Sequence, residues 1–205
     1  MKTFAIVPVK GFKESKSRLS PYLSKAERIE LSKSMLDDVL SALNTVPTIL
    51  ISPEKFEPRV KPREHYVLVQ KGDKGLDGAV KQANKFAVKM GANSTLFVPG
   101  DMPLINAKDI QSVLRMGESK EAIITKSTDG GTGILFRKPP DIMESRFTLN
   151  SFEDHIREAK NQKIEIFILE SLNLAHDIDT FEDLQLFMKH GEGTKTFEYL
   201  KDKCF

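Results

Sequence analysis

Apolar and polar residues fall into blocks along this chain, and the period inside the blocks alternates. Thr3-Phe4-Ala5-Ile6-Val7-Pro8-Val9 is a continuous β-rich apolar run that predicts a central strand, with Pro8 near its exit. Ser24-Lys25-Ala26-Glu27 has the spacing of a capping box, and Ile29, Leu36, Val39, Leu40 and Leu43 continue a helical stripe to about Asn44. Thr48–Ser52 and His65–Gln70 predict the second and third strands, with a proline-punctuated loop between them. Helical period returns from Gly75 to Met90 through Ala79, Ala83 and Phe86. Leu96-Phe97-Val98 then predicts another buried parallel strand, and Ala107–Met116 a short helix. Strand and helix taking turns in this way calls for a mostly parallel twisted sheet with helices on both faces, joined by right-handed crossovers.

The second half changes character. Glu121–Thr125 and Gly133–Phe136 predict two strands linked by Asp129-Gly130-Gly131-Thr132, an antiparallel addition to the sheet. Ser151 to Lys160 predicts a helix capped by Ser151, and Ile164–Leu169 alternates like a half-exposed strand. Thr180 and Asp183 form a capping-box-like pair before a helix expected to turn Phe181, Leu184 and Met188 inward. There is no internal repeat, and the last dozen residues carry no interpretable motif.

Composition adds limits. At 205 residues and 40% hydrophobic content the chain suits one α/β domain with one substantial core. The net charge of +2 hides a local excess, because Lys10, Lys13, Lys16 and Arg18 crowd one early loop against Glu14 alone. A small anion fits that loop better than nucleic acid, since acidic and basic residues are mixed over most of the length. The single cysteine, Cys204, argues against a disulfide framework or structural zinc and suits a reducing cytosol. No apolar stretch approaches the roughly twenty residues needed to span a bilayer, and the chain opens directly on a strand, so a soluble cytoplasmic protein without a membrane partner is expected.

Three features carry candidate chemistry. Asp101 lies between Gly100 and Pro103 just past the strand ending at Val98, where an open α/β sheet binds its ligands; taken alone, such a turn serves equally as a cap on its own backbone. The basic loop leaves the carboxyl end of the first strand and leads into a helix, a place suited to phosphate, yet it has neither the Walker nor the Rossmann glycine spacing. A second acidic turn, Asp177-Ile178-Asp179, also precedes a helix, and singly it reads as capping. Together the two acidic turns and the basic loop suit magnesium, which takes a few carboxylates plus phosphate oxygens and waters. His65, His155, His176 and His190 fall at no metal-ligand spacing and read as surface or structural. The third feature joins Asp129-Gly130-Gly131-Thr132-Gly133 to Arg146-Phe147-Thr148-Leu149-Asn150-Ser151. By themselves these are a hairpin turn and an N-cap; in context Ser151, its helix N–H groups and the Thr132 hydroxyl are acceptor-site candidates.

Ile6-Val7-Pro8-Val9-Lys10 through Lys16-Ser17-Arg18-Leu19, Gly75-Leu76-Asp77-Gly78-Ala79, Pro99-Gly100-Asp101-Met102-Pro103, Asp129-Gly130-Gly131-Thr132 and Asp177-Ile178-Asp179-Thr180 resemble, in that order, the 2-phospho-L-lactate guanylyltransferase family. The resemblance spans nearly the whole chain. It implies a GT-A-like nucleotidyltransferase fold related to molybdenum-cofactor nucleotidyltransferases and sugar-nucleotide pyrophosphorylases. It also implies activation of 2-phospholactate with GTP in biosynthesis of the deazaflavin coenzyme F-420 of methanogenic archaea; homologues in some bacteria use phosphoenolpyruvate. Another phosphorylated acceptor, or a non-catalytic GTP-binding module, is the alternative.

The resemblance further implies Mg2+ on Asp101, Asp177 and Asp179, with Lys16 and Arg18 on the other side of the reacting phosphates, and Lys16, Arg18 and Asp101 as the catalytic set. Nucleotide contacts fall to Pro8, Lys10, Lys16, Ser17, Arg18, Gly75, Leu76, Asp77, Pro99 and Gly100, and acceptor contacts to Thr132, Thr148 and Ser151. Residues 1–116 would form a nucleotide-binding half and 117–205 an acceptor-binding half. A homodimer that hands its product to a downstream lactyl-phosphate transferase is implied as well. Two positions depart from the family pattern: Asp77 stands where Asn is usual, near the sugar or base, and Thr148 where Gly is usual, near the acceptor.

Overall fold

The computed structural model describes residues 2–12, 15–72 and 75–203; Lys13 of the basic loop and Cys204 lie outside them. Seven strands form one sheet: β1 (Thr3–Pro8), β2 (Thr48–Ser52), β3 (His65–Val69), β4 (Ser94–Phe97), β5 (Ala122–Lys126), β6 (Thr132–Arg137) and β7 (Ile166–Ile168), in the order β3-β2-β1-β4-β6-β5-β7. β1 is central and pairs in parallel with β2 (Ile6↔Ile49) and β4 (Ile6↔Phe97). β6 runs antiparallel to both β4 and β5, while β5 and β7 pair in parallel. The antiparallel addition is therefore one reversed strand set between β4 and β5.

Among the described residues six α-helices accompany the sheet: α1 (Lys25–Ala42), α2 (Gly75–Lys89), α3 (Ala107–Met116), α4 (Ser151–Asn161), α5 (Phe181–His190) and α6 (Lys195–Leu200). The unbroken apolar character of β1 follows from cover on both faces. Ala5 and Val7 pack with Leu36, Val39, Leu40 and Val113 of α1 and α3, while Phe4 and Ile6 pack with Ala79, Val80, Ala83 and Phe152 of α2 and α4. A third cluster matters most for function. Leu19, Leu31, Met35, Leu104, Ile178, Leu184, Phe187 and Leu200 tie the end of the basic loop, α1, the acidic turn, α5 and α6 into one apolar knot.

The Ser24–Glu27 and Thr180–Asp183 capping boxes both form. Ser151, in contrast, is not a cap. It is the first residue of α4, and Asn150 occupies the cap position without a side-chain cap hydrogen bond. The turn is held instead by Thr148, whose hydroxyl accepts the Asn150 N–H and donates to Asp154, so Ser151 is released to bury its side chain. In α5 Leu184 and Phe187 are the fully buried pair, Met188 packs partly buried against the same cluster, and Phe181 stacks on Tyr22 with ring centroids 4.2 Å apart. β7 covers only three of the six residues expected for it, because it is an edge strand paired to β5 alone. α6 lies in the C-terminal stretch that shows no motif, and the buried Asp38 carboxylate holds its start by accepting from Lys195 N, Thr196 N and Thr196 Oγ1. No helix among the described residues is long and apolar enough to cross a membrane.

Candidate active site

β1 and β4 are neighbours, so the loops leaving their carboxyl ends meet above the sheet. Gly100 lets them meet closely, since a Cβ there would lie 3.3 Å from Leu36 Cδ1 and 3.5 Å from the Pro8 carbonyl oxygen. The acidic turn comes to the same place from the far end of the chain. Ile178 is fully buried in the third cluster, and the residues on either side of it, Asp177 and Asp179, line the cleft above the sheet. The approach to that turn is pinned to the sheet: Thr125 Oγ1 donates to the Leu174 carbonyl at 2.6 Å and accepts the Ile134 N–H at 2.8 Å, and Thr128 N–H bonds the Ala175 carbonyl. Only glycine fits beside this crossing, because a Cβ on Gly133 would lie 2.2 Å from that Leu174 oxygen.

The result is a carboxylate cluster. One oxygen each from Asp101, Asp177 and Asp179 lie within 4.8 Å of one another. Lys16 reaches into it, with Nζ 2.7 Å from Asp101 Oδ2 and 2.6 Å from Asp179 Oδ1 and a side chain only 6% exposed. Its backbone is left-handed (φ 52, ψ 43), a conformation that costs a non-glycine residue roughly 1 kcal/mol or more and persists only where surroundings enforce it. Burial opposes charge on Lys16, but Asp101 and Asp179 outweigh it and raise its pKa. Burial likewise works against the Asp101 carboxylate, and Lys16 followed by Lys10 more than compensates, holding it below its ordinary range. Asp177 has no such relief: burial first, then the like charges of Asp101, Asp179 and Asp129, against partial relief from Lys16, push it up to about 7.

The opposite wall presents hydroxyls, with the Asp129 carboxylate at its edge. Thr132 begins β6 and Ser151 begins α4, both buried and both facing a cleft of about 880 Å³ shared with the carboxylates. Behind them is His155, fully buried, with Nδ1 3.0 Å from Thr132 Oγ1 and Nε2 accepting the Arg146 backbone N–H at 2.8 Å. The Phe147 ring meets the imidazole edge-on at 5.0 Å and Phe97 at 4.3 Å. Arg146 and Glu158 form an ion pair at 3.1 Å beside this group.

Pro8, Lys10, Lys16, Ser17, Arg18, Leu76, Pro99, Gly100, Asp101, Thr132, Thr148, Ser151, Asp177 and Asp179 all line this one cleft. Gly75 and Asp77, both exposed, are not among its lining residues. The Gly75 carbonyl accepts from Gln70 Nε2 at 2.9 Å, and the Asp77 carboxylate accepts the Phe147 N–H at 3.0 Å, tying the start of α2 to the loop before α4. Lys16 is not across from the carboxylates as expected from the resemblance; the left-handed turn folds its ammonium among them. The sequence reading also passed over His155 as a part of this wall. Its signal was available, since Ser151 and His155 are four residues apart on a helix and share a face.

At 36% identity over 208 residues, covering 100% of this chain and 92% of the relative, the chain is similar to a 2-phospho-L-lactate guanylyltransferase from Methanothermobacter thermautotrophicus. It is 34% identical over 197 residues (96% and 89%) to a protein of the same name from Methanocaldococcus vulcanius. Among solved structures, one from Desulfovibrio desulfuricans assigned to the nucleotide-diphospho-sugar transferases superposes with a TM-score of 0.82 at 17% identity, covering 98% of this chain and 95% of that one. That likeness speaks for the fold. A family model described as guanylyl transferase CofC like matches residues 3–205, and with the relatives it establishes that the chain belongs to the CofC-like guanylyltransferase family.

Proposed function

We propose that this chain is a nucleotidyltransferase that joins GTP to (2S)-2-phospholactate, giving lactyl-2-diphospho-5'-guanosine and pyrophosphate on the route to coenzyme F-420. The observation that carries the proposal is the convergence of Asp101, Asp177 and Asp179 on one point, in one cleft with the neutral Thr132 and Ser151 wall. Three carboxylate oxygens with no thiolate or imidazole among them are a hard donor set, and they fit Mg2+. When bound, Mg2+ supplies positive charge that offsets the charge of the α-phosphate and the departing pyrophosphate.

The rest is done by the chain itself. The phosphate oxygen of 2-phospholactate is already anionic, so no side chain has to remove a proton. It attacks the α-phosphorus of GTP in line, one P–O bond forms, and the bond to the β-phosphate oxygen breaks with its electron pair leaving on pyrophosphate. Lys10, Lys16 and Arg18 receive the triphosphate, and Lys16 brings its cation to the same point as the carboxylates. Pro8, Ser17, Leu76, Pro99 and Gly100 wall the nucleotide, with Gly75 and Asp77 supporting that wall. Thr132, Thr148 and Ser151 hold the acceptor. Residues 1–116 thus supply the nucleotide side, and 117–205 supply the acceptor wall and two of the three carboxylates. Family membership supports action in the cytoplasm as a homodimer that passes its product to a lactyl-phosphate transferase.

The test is pyrophosphate release in Mg2+, crossing GTP and ATP with 2-phospholactate, phosphoenolpyruvate and 3-phosphoglycerate and identifying products by mass. Release with GTP and 2-phospholactate is expected. Preference for another acceptor moves the substrate, and binding of GTP without release under every pairing overturns the proposal.

A further inference from the structure

His155 has no exposed surface and lies outside the reacting groups, yet both its ring nitrogens are committed. The Arg146 backbone N–H, 2.8 Å from Nε2, can only donate, so Nε2 must present a lone pair. A neutral imidazole then carries its one hydrogen on Nδ1, the nitrogen 3.0 Å from Thr132 Oγ1. The imidazolium is disfavoured here, because it would set an N–H against the Arg146 N–H in a buried site with Arg137 and Arg146 nearby; burial first, then Arg137, push His155 down to about 4. The Ser151 carbonyl, one turn earlier, shares this same Nδ1 hydrogen with Thr132 Oγ1. The Phe147 ring, itself packed on Phe97, meets the imidazole edge-on and helps hold it in place.

A fixed Nδ1–H has one consequence for Thr132. Its oxygen accepts from the ring, and its own hydrogen is left for a partner in the cleft that it lines beside Ser151. On the reading that Thr132 contacts the acceptor, we infer that His155 is a positioning residue for it: the Arg146 amide sets the imidazole tautomer, and the tautomer makes the Thr132 hydroxyl a donor aimed at an anionic oxygen of the phosphorylated acceptor. The chain runs from the loop before α4, through α4, to the first residue of β6. It turns a hydroxyl of either polarity into one suited to an anion and ill suited to a neutral donor.

The tautomer is read directly on the intact wild-type protein from long-range 15N–1H correlation spectra of 15N-histidine-labelled chain at neutral pH. His155 is expected with Nδ1 protonated and Nε2 bare; the opposite tautomer or an imidazolium overturns the inference. Kinetics test the consequence. Thr132→Val is expected to raise KM for 2-phospholactate about tenfold, the size of one hydrogen bond to an anion, with KM for GTP unchanged. His155→Gln keeps an acceptor near the Nε2 position for Arg146 but loses the Nδ1 donor, and is expected to match that increase. His155→Asn places an amide N–H near Nδ1 and is expected to recover most of it, although it forfeits the Arg146 contact and is the less stable of the two. In the Thr132→Val background His155→Gln should add less than about twofold. If Thr132→Val leaves KM for the acceptor unchanged, the acceptor reading itself fails and the inference with it. If Thr132→Val raises KM but His155→Gln does not, or if the two effects multiply, the role of His155 alone is overturned.

Discussion

The two walls of the cleft are fixed by opposite means. On the carboxylate wall, Lys16, Asp101 and Asp179 hold one another by charge; the two aspartates are about one-third exposed, and Lys16 is kept there by a left-handed backbone. The hydroxyl wall is built on the neutral, buried side chains of Thr132, Ser151 and His155, with Asp129 at its edge, and its geometry is set by hydrogen bonds from His155 to Thr132 and from the Arg146 amide to His155. Its charged pair, Arg146 with Glu158, is not among the residues lining the cleft. The difference fits the chemistry on each side. Charges that bind a polyphosphate have to exchange partners when it arrives, so they are held by contacts of comparable strength. A wall that selects a small acceptor gains from dipoles that need not reorganise.

Breaking the charged wall should have the largest effect. Asp101→Asn is isosteric but removes one carboxylate from the cluster and one of the two partners of Lys16, and turnover at saturating Mg2+ should fall on the order of 10²-fold or more. Near-normal turnover would remove Asp101 from the mechanism. Next comes the crossing that delivers Asp177. In Gly133→Ala the new methyl would sit 2.2 Å from the Leu174 oxygen and 2.3 Å from Thr125 Oγ1, so the segment carrying Asp177 has to move. A loss of about 3 kcal/mol in denaturant unfolding and weaker Mg2+ binding are expected. Gly11→Ala, with nothing within 4 Å of its Cβ, is the control and should stay within about 0.5 kcal/mol.

These two substitutions also show what the sequence made legible. Asp101 was visible because strand, glycine and proline are contiguous around it, and Asp177 because it sits in a capping turn. Capping residues and apolar period are local signals, which is why the parallel half and the helix starts at Ser24 and Thr180 were readable. Gly133 looked like a turn glycine, and nothing near it announces a crossing with residue 174, forty-one positions later. Lys16 was read as a phosphate ligand opposite the carboxylates, because residue type reports charge but not the left-handed turn that folds the ammonium back among them. Ser151 looked like a cap because serine usually is one at that position. Thr148 closes the turn ahead of it instead, accepting the Asn150 N–H and donating to Asp154, a competition between neighbouring hydroxyls that composition does not resolve. α6 escaped because its anchor is Asp38, 157 residues away from Lys195.

The hydroxyl wall should show itself in the acid stability of the fold. His155 is pushed down to about 4 by burial and then by Arg137, from an ordinary value of 6.5, so between these values the unfolded chain binds a proton that the folded chain refuses. Its contribution is therefore complete above about pH 6.5 and is lost as pH falls towards 4. A shift of that size amounts to at most about 3 kcal/mol. The measurement is the difference in unfolding free energy between wild type and His155→Gln from pH 7 to 4, which should shrink on acidification. A constant difference would mean that His155 titrates freely in the fold and that the imidazole is not kept neutral by burial.

The smallest effect is expected at the edge of the charged wall. Arg18 is exposed in the one-turn 3₁₀ helix Ser17–Leu19, whose anchor is the fully buried Leu19 rather than Arg18 itself. Arg18→Ala should therefore leave stability within about 0.5 kcal/mol of wild type. A planar, bidentate donor is not replaced by lysine, however, so KM for GTP should rise about tenfold and Arg18→Lys should recover only part of it. KM for 2-phospholactate is expected to stay put, which makes the pair of constants a direct reading of which wall Arg18 serves. An unchanged KM for GTP would take Arg18 out of the triphosphate site and leave Lys10 and Lys16 to neutralise it, while a rise in both constants would mean that the two walls are not independent.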